Sequence, residues 1–282
     1  MLINKTKARL LQAIGRYEYL SAVQLTKLLY GNSLTLVQAN LSELLAAQFV
    51  QALPYSPVTS VSPGGRVRRV YTLDQGGHDY LKTLGIVPAG RFRTSERAKR
   101  QPSTLIHTLA ANDLLILTHL FCKQHDQFQL ERFETESELK RHPVYLENTS
   151  PKVAVIPDAW VLLAGGENEY GIAWELDRAT ENRTVFREKI RMLAYYSQGP
   201  YADEFQTDAL TIAFVATEGG ARRVESMLVW TEAELTNLGA QALASTVFFA
   251  AFDPAKADPE EVFLSPIWRR PFTITPVALV ED

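Results

Sequence analysis

The chain has 282 residues, 46% hydrophobic and 22% charged, the balance of an ordinary globular protein. The net charge of −3 hides an asymmetry: residues 1–105 carry 14 Lys and Arg against 5 Asp and Glu, and the remainder carries 15 against 27. A basic first third joined to an acidic remainder predicts two domains with different partners, the first suited to a polyanion. There is no run of about 18 apolar residues, so no membrane span is expected. The opening MLINKTKARLLQAIGRY lacks an apolar signal core. The lone Cys122 has no internal disulfide partner, which fits a cytoplasmic, reducing compartment. It reads as a small buried apolar residue rather than a nucleophile.

The first helix, over 5–17, aligns Leu10, Leu11, Ile14 and Tyr17 on one face. Ser21 suits the N-cap of a second helix over 22–30, and Gly31-Asn32 ends it. Ser33 can cap a third helix, 34 to about 48, with Leu34, Val37, Leu41, Leu44 and Leu45 at helical spacing. Its opposite face presents Thr35, Gln38 and Ser42, which either read base edges or form a plain solvated surface. Short helix, tight turn and longer helix is the helix-turn-helix order.

A strand over 49–53, a turn rich in Pro, Ser and Gly, and a strand over 66–73 bearing Arg66, Arg68 and Arg69 follow. This is the form of a basic wing lying along a phosphate backbone. Tyr71-x-Leu73-x-x-x-Gly77 leads into a helix over 75–84, a closing pattern that resembles winged-helix domains. The expected organisation is a winged helix over 1–87, a basic linker over 88–102 and a second domain over 103–282. Arg91 and Arg93 of the linker can add phosphate contacts. Three helices and a hairpin can also form a protein-interaction module, but the arginines and the basic balance favour double-stranded DNA. Winged helices often read two-fold sites, which suits a homodimer.

The second domain opens with a helix over 103–123 containing His107, Asn112 and Asp113. The five histidines form no zinc-ligand pattern. The expected order continues as strands 127–134, 152–158 and 169–177, a helix over 184–198, a strand over 209–216, helix or turn at 219–227 and 231–243, and a strand near 246–252. Glu175 and Asp177 stand two apart on a strand, so both point to one face, and Tyr170, Ile172, Trp174 and Leu176 point to the other, which reads as core. If the Pro157-Asp158 strand pairs beside it, three acids converge. Such repulsion is offset by a cation or shared protons, and three carboxylates suit Mg2+ or Mn2+ through oxygen ligands.

Helix, three strands, helix, strand (αβββαβ), with Pro157-Asp158, Glu175-x-Asp177 and a lysine-bearing helix, resembles the α+β restriction-endonuclease-like fold of PD-(D/E)xK nucleases. More narrowly, PDA…WELDRATE…FREKIRMLAYY behind a winged helix and a basic linker resembles the replication-relaxation family of plasmid- and mobile-element-encoded proteins. That resemblance implies DNA binding in replication control, alongside replication or mobile-element proteins. The nuclease resemblance implies that Asp158 and Glu175 bind Mg2+ and that a lysine assists the attacking water. Asp177 stands where that lysine is expected. Lys189, on the margin of the helix's buried stripe, either replaces it or makes a structural ion pair with Asp177 or Glu175. Asn112 and Asp113 are candidates for a supporting role. Three functions follow: a replication regulator with an inactive nuclease-like domain, a metal-dependent endonuclease or nickase, and, with less behind it, a ligand-sensing repressor.

Overall fold

In the computed structural model, residues 3–29, 33–55, 68–89, 102–146 and 153–281 are described. They form two compact units, Met1–Ile116 and Leu117–Asp282. The division falls inside a long helix rather than at the linker read from the sequence, and hydrogen bonding explains why. The Asn112 side-chain amide donates to the carbonyls of Tyr17 (3.1 Å) and Tyr19 (2.7 Å). Gln24 Nε2 donates to Leu109 O at 2.8 Å. The first turns of that helix therefore belong to the N-terminal core, where Leu105 and Leu109 pack with Tyr19 and Val70.

The N-terminal unit runs α1 (Lys5–Tyr17), β1 (Leu20–Ser21), α2 (Ala22–Leu28), α3 (Leu34–Ala46), β2 (Val50–Tyr55), β3 (Arg68–Leu73) and α4 (Gln75–Thr83), then the start of α5 (Pro102–Gln124). Local chemistry sets the helix starts. Ser21 and Gln24 form a reciprocal capping box on α2, and Ser33 Oγ accepts from Leu36 N at the head of α3. Leu10, Leu11 and Ile14 of α1 and Val37, Leu41 and Leu44 of α3 are fully closed to solvent, and the two helices pack together. Each such side chain contributes about 1.5–3 kcal/mol. β2 and β3 pair antiparallel from Val50↔Leu73 to Tyr55↔Arg68, and the two-residue β1 adds a third strand on Tyr71 and Val70. Gly77 is required by close approach: a Cβ there would lie 2.2 Å from Phe49 O.

The C-terminal unit takes the rest of α5, then β4 (Phe128–Thr135), α6 (Glu136–Leu139), β5 (Val144–Tyr145), β6 (Ala154–Val155), β7 (Ala159–Gly165) and β8 (Asn168–Asp177). There follow α7 (Arg183–Tyr196), α8 (Pro200–Phe205), β9 (Thr211–Ala216), α9 (Gly220–Leu238), a 3-10 turn (Gln241–Thr246), β10 (Val247–Ala251) and α10 (Pro259–Leu264). One mixed five-stranded sheet has the order β10-β9-β8-β7-β4. β4, β7 and β8 are antiparallel, whereas β8, β9 and β10 are parallel.

The strand beside β8 is Ala159–Gly165, not the expected 152–158. Ala154–Val155 pairs only with the short β5. AWVLLAG is apolar throughout because β7 is covered on both faces, so it lacks the alternation that marks a half-buried strand. The two pieces expected at 219–227 and 231–243 are largely the single helix α9, and a further short helix, α10, follows the last expected strand.

One sheet face packs on α7 and α9 through Trp160, Phe186, Ile190, Phe214 and Met227. On the other face Trp174 meets Phe263 edge-on and Trp268 at 6.1 Å, and Phe263 stacks on Phe121 at 4.4 Å. The edges differ. β4 has a register shift between Leu130 and Arg132, and β10 exchanges hydrogen bonds with the tail between Phe249 and Arg269. By length and composition, Ser103–Gln124 is apolar enough to cross a membrane, but 67% of it is buried in the protein, as in a core helix.

Candidate functional site

The four acid-site candidates lie in the C-terminal unit: Asp158 just before β7, Glu175 and Asp177 at the carboxyl end of β8, and Lys189 on α7. Asp158 precedes β7. Its N–H donates to Trp174 O at 3.0 Å, and its Oδ2 accepts from Leu176 N at 2.7 Å. These bonds hold its carboxylate against β8 on either side of Glu175. Period 2 puts Glu175 and Asp177 on the face toward α7 and α9, and both are buried.

The two acids then part company. Asp177 is held by Arg223 of α9, with Nε to Oδ1 and Nη2 to Oδ2 both at 2.7 Å, a two-point fork in which both side chains are at least nine-tenths buried. Arg223 Nη2 also donates to Glu181 O at 3.0 Å, and its guanidinium lies 5.0 Å from the Trp230 ring centre. Asp177 Oδ1 accepts from Ala179 N at 2.8 Å, closing the turn in which Ala179 takes a positive φ of 55°.

Glu175 pairs instead with Lys189 of α7, at 3.1 Å, and the same ammonium lies 3.4 Å from Glu181 Oε1. Of the two partners expected for Lys189, the structure selects Glu175. The expected convergence of Asp158, Glu175 and Asp177 is therefore split, because a buried arginine from α9 neutralises the third acid. Among the described residues no three His, Cys, Asp or Glu side chains group as metal ligands. Asp158 and Glu175 remain neighbours that interact electrostatically. Two carboxylates fit the way Mg2+ is held, by one or two acids with water and phosphate completing the shell.

Burial pushes the Glu175 carboxyl up to about 7, against the pull of Lys189 and with the push of Asp158. Lys189 is raised: burial lowers it, but Glu175, Glu181 and Asp158 outweigh that. The two directions conflict, one favouring a neutral acid and the other a charged pair. A lysine within reach of two carboxylates favours the charged pair. A second ionic cluster ties α7 to α9, where the wholly buried Glu234 side chain accepts from Arg187 Nε at 2.7 Å and from Arg191 Nη2 at 2.7 Å. Burial raises the Glu234 carboxyl, but the hydrogen bonds from Arg191 and Arg187 prevail and hold it below its ordinary range.

Sequence reasoning missed Arg223 and Glu234, which arrive from a helix 46 and 43–47 residues along the chain from their partners. Glu181 is a partner of Lys189, while Asn182 caps α7 through Thr184 N and Val185 N. Asn112 is engaged by backbone carbonyls of the N-terminal unit, which corrects its candidate role as a supporting ligand. Burial pushes the Cys122 thiol up to about 11, consistent with a packing role.

In the N-terminal unit Thr35, Gln38 and Ser42 share the exposed face of α3, and Arg68 and Arg69 are exposed at the start of β3. Arg66, Arg91 and Arg93 lie outside the described residues.

A small helical unit with an antiparallel ribbon, followed by a mixed five-stranded sheet with buried acid–base pairs, defines a two-unit α+β protein. The family model described as replication-relaxation matches residues 11–208, most of the chain. The chain belongs to the replication-relaxation family. No curated protein matches it in sequence. Among solved structures, the restriction endonuclease FokI aligns over 88% of this chain and 42% of its own, at 12% identity and a TM-score of 0.26. The chain thus spans less than half the length of that enzyme.

Proposed function

We propose that this is a cytoplasmic, double-stranded-DNA-binding protein of plasmid or mobile-element replication control. Its N-terminal unit acts as a winged helix, and its C-terminal unit is a PD-(D/E)xK-like fold serving as a non-catalytic module for replication or mobile-element proteins. Family membership supports the replication role. The observation that carries the DNA reading is the pairing of an exposed, amide- and hydroxyl-bearing α3 face with a ribbon whose Arg68 and Arg69 stand outward. The fork between Asp177 and Arg223 supports the non-catalytic reading, since the position expected to hold a lysine is an acid already neutralised. A homodimer on a two-fold site belongs to the same proposal, tested by light scattering with and without duplex.

A second reading, Mg2+- or Mn2+-dependent DNA cleavage, is favoured by one observation: Lys189 reaches Glu175, with Asp158 beside it. Incubating the protein with supercoiled, linear and single-stranded DNA plus either metal separates the two. The regulator reading expects duplex binding that weakens steeply with salt, and no cleavage. Cleavage that disappears in Asp158→Ala, Glu175→Ala and Lys189→Ala would replace it with the nuclease reading.

A further inference from the structure

We infer that α3 selects sites built of A·T base pairs, with Gln38 reading adenine and Thr35 and Ala39 packing on thymine methyl groups. The inference rests on the DNA-binding reading above and names what that surface recognises. The buried stripe of α3 is Val37, Asn40, Leu41 and Leu44. The opposite face is therefore centred on Thr35, Ala39, Ser42 and Ala46, flanked by Gln38 and Glu43, all six exposed.

That face has no lysine or arginine anywhere along Leu34–Ala46. The commonest specific contact to guanine, a two-point bond from Arg or Lys to O6 and N7, is thus absent from the helix. Its one acid, Glu43, would be the acceptor for a cytosine amino group, but Lys7 of α1 holds it at 2.5 Å. The Lys7 side chain is itself nine-tenths buried, so this partner is fixed in place. Ser42 donates its hydroxyl proton to Gln38 O at 2.9 Å and offers only lone pairs outward. What remains is the Gln38 amide, whose donor and acceptor match adenine N7 and N6, and the methyl groups of Thr35 and Ala39, which match the thymine C5 methyl. Charge for the phosphates comes from the ribbon arginines, so sequence reading and backbone attraction are assigned to different elements.

Selection of random duplexes with the full chain should enrich consecutive A·T pairs. In the selected duplex, replacing thymine with uracil removes only the methyl, and replacing adenine with 7-deazaadenine removes only the N7 acceptor. Each replacement at a contacted position should weaken binding, and Gln38→Ala should abolish the 7-deazaadenine effect while lowering affinity on the order of ten- to a hundredfold. Alanine is a better helix former than glutamine at this exposed site, so folding is preserved. G·C enrichment, or indifference to both base analogues with duplex binding intact, would overturn the inference and leave DNA binding standing. Absence of duplex binding even at low salt would overturn both.

Discussion

The two units use their polar side chains in opposite ways. In the N-terminal unit, Thr35, Gln38, Ser42, Arg68 and Arg69 stand exposed over an apolar core. In the C-terminal unit the acids are turned inward: Glu175 and Asp177 of the WELDRATE stretch, and Glu234 of α9, are buried and each is met by a lysine or arginine. Outward groups cost the fold little and are available to a partner. Buried charges cost desolvation, and their geometry must be complete. A cluster of acids is therefore a weak guide to chemistry until its counter-charges are known.

Several substitutions can break that contrast. All four tryptophans lie in the C-terminal unit, so their fluorescence follows that unit alone. Asp177→Ala leaves a buried guanidinium unpaired and should cost about 3–5 kcal/mol in denaturant unfolding followed by tryptophan emission. An unchanged midpoint would mean that the fork is not structural. Glu234→Gln should cost less, about 2 kcal/mol, because Arg187 and Arg191 are partly exposed and screened.

The Glu234 cluster also sets a pH dependence. The carboxyl titrates below its ordinary 4.5 in the fold, so its stabilisation is present above about 4.5 and is lost as pH falls through the folded value. Unfolding curves between pH 6 and pH 3 should therefore converge for the parent and Glu234→Gln as pH falls. Parallel curves would contradict the assignment.

In the N-terminal unit the effects should appear in binding rather than stability. Arg68→Ala with Arg69→Ala should weaken all duplexes by about tenfold and lower the salt slope by about one per arginine. A sequence-dependent loss, or none, would end their role as backbone contacts. Smallest of all, Lys7→Met frees Glu43 and should weaken duplex binding by less than about 1 kcal/mol, the scale of a half-exposed ion pair. Fluorescence anisotropy across a salt series reads both changes.

Much of the N-terminal unit was legible because its signals are local. Ser21 and Ser33 cap where capping chemistry predicts, and Val37, Leu41 and Leu44 of the expected α3 stripe are buried, whereas Leu34 is exposed and Leu45 half-buried. β1 was not legible, since two residues leave no period to detect. In the C-terminal unit both β7 and β8 are buried on two faces; β8 and its same-face acids could still be read because Glu175 and Asp177 alternate with Trp174 and Leu176, whereas AWVLLAG holds no polar residue to mark a period. Lys189 pairs with Glu175, and Asp158 lies beside them. Asp177 reads as a metal ligand in the sequence, and its arginine is invisible there because helix periodicity says nothing about which strand a distant helix will cover.

The sheet's two borders bear on how this protein keeps company with itself. β4 is kinked by its register shift and carries Glu131, Arg132 and Glu134, and β10 already has Arg269 hydrogen-bonded to Phe249. A strand from another molecule would meet a bent, charged rim on one side and an occupied one on the other. Self-association of the C-terminal unit by sheet extension is thereby disfavoured, which directs any pairing of copies toward helical surfaces.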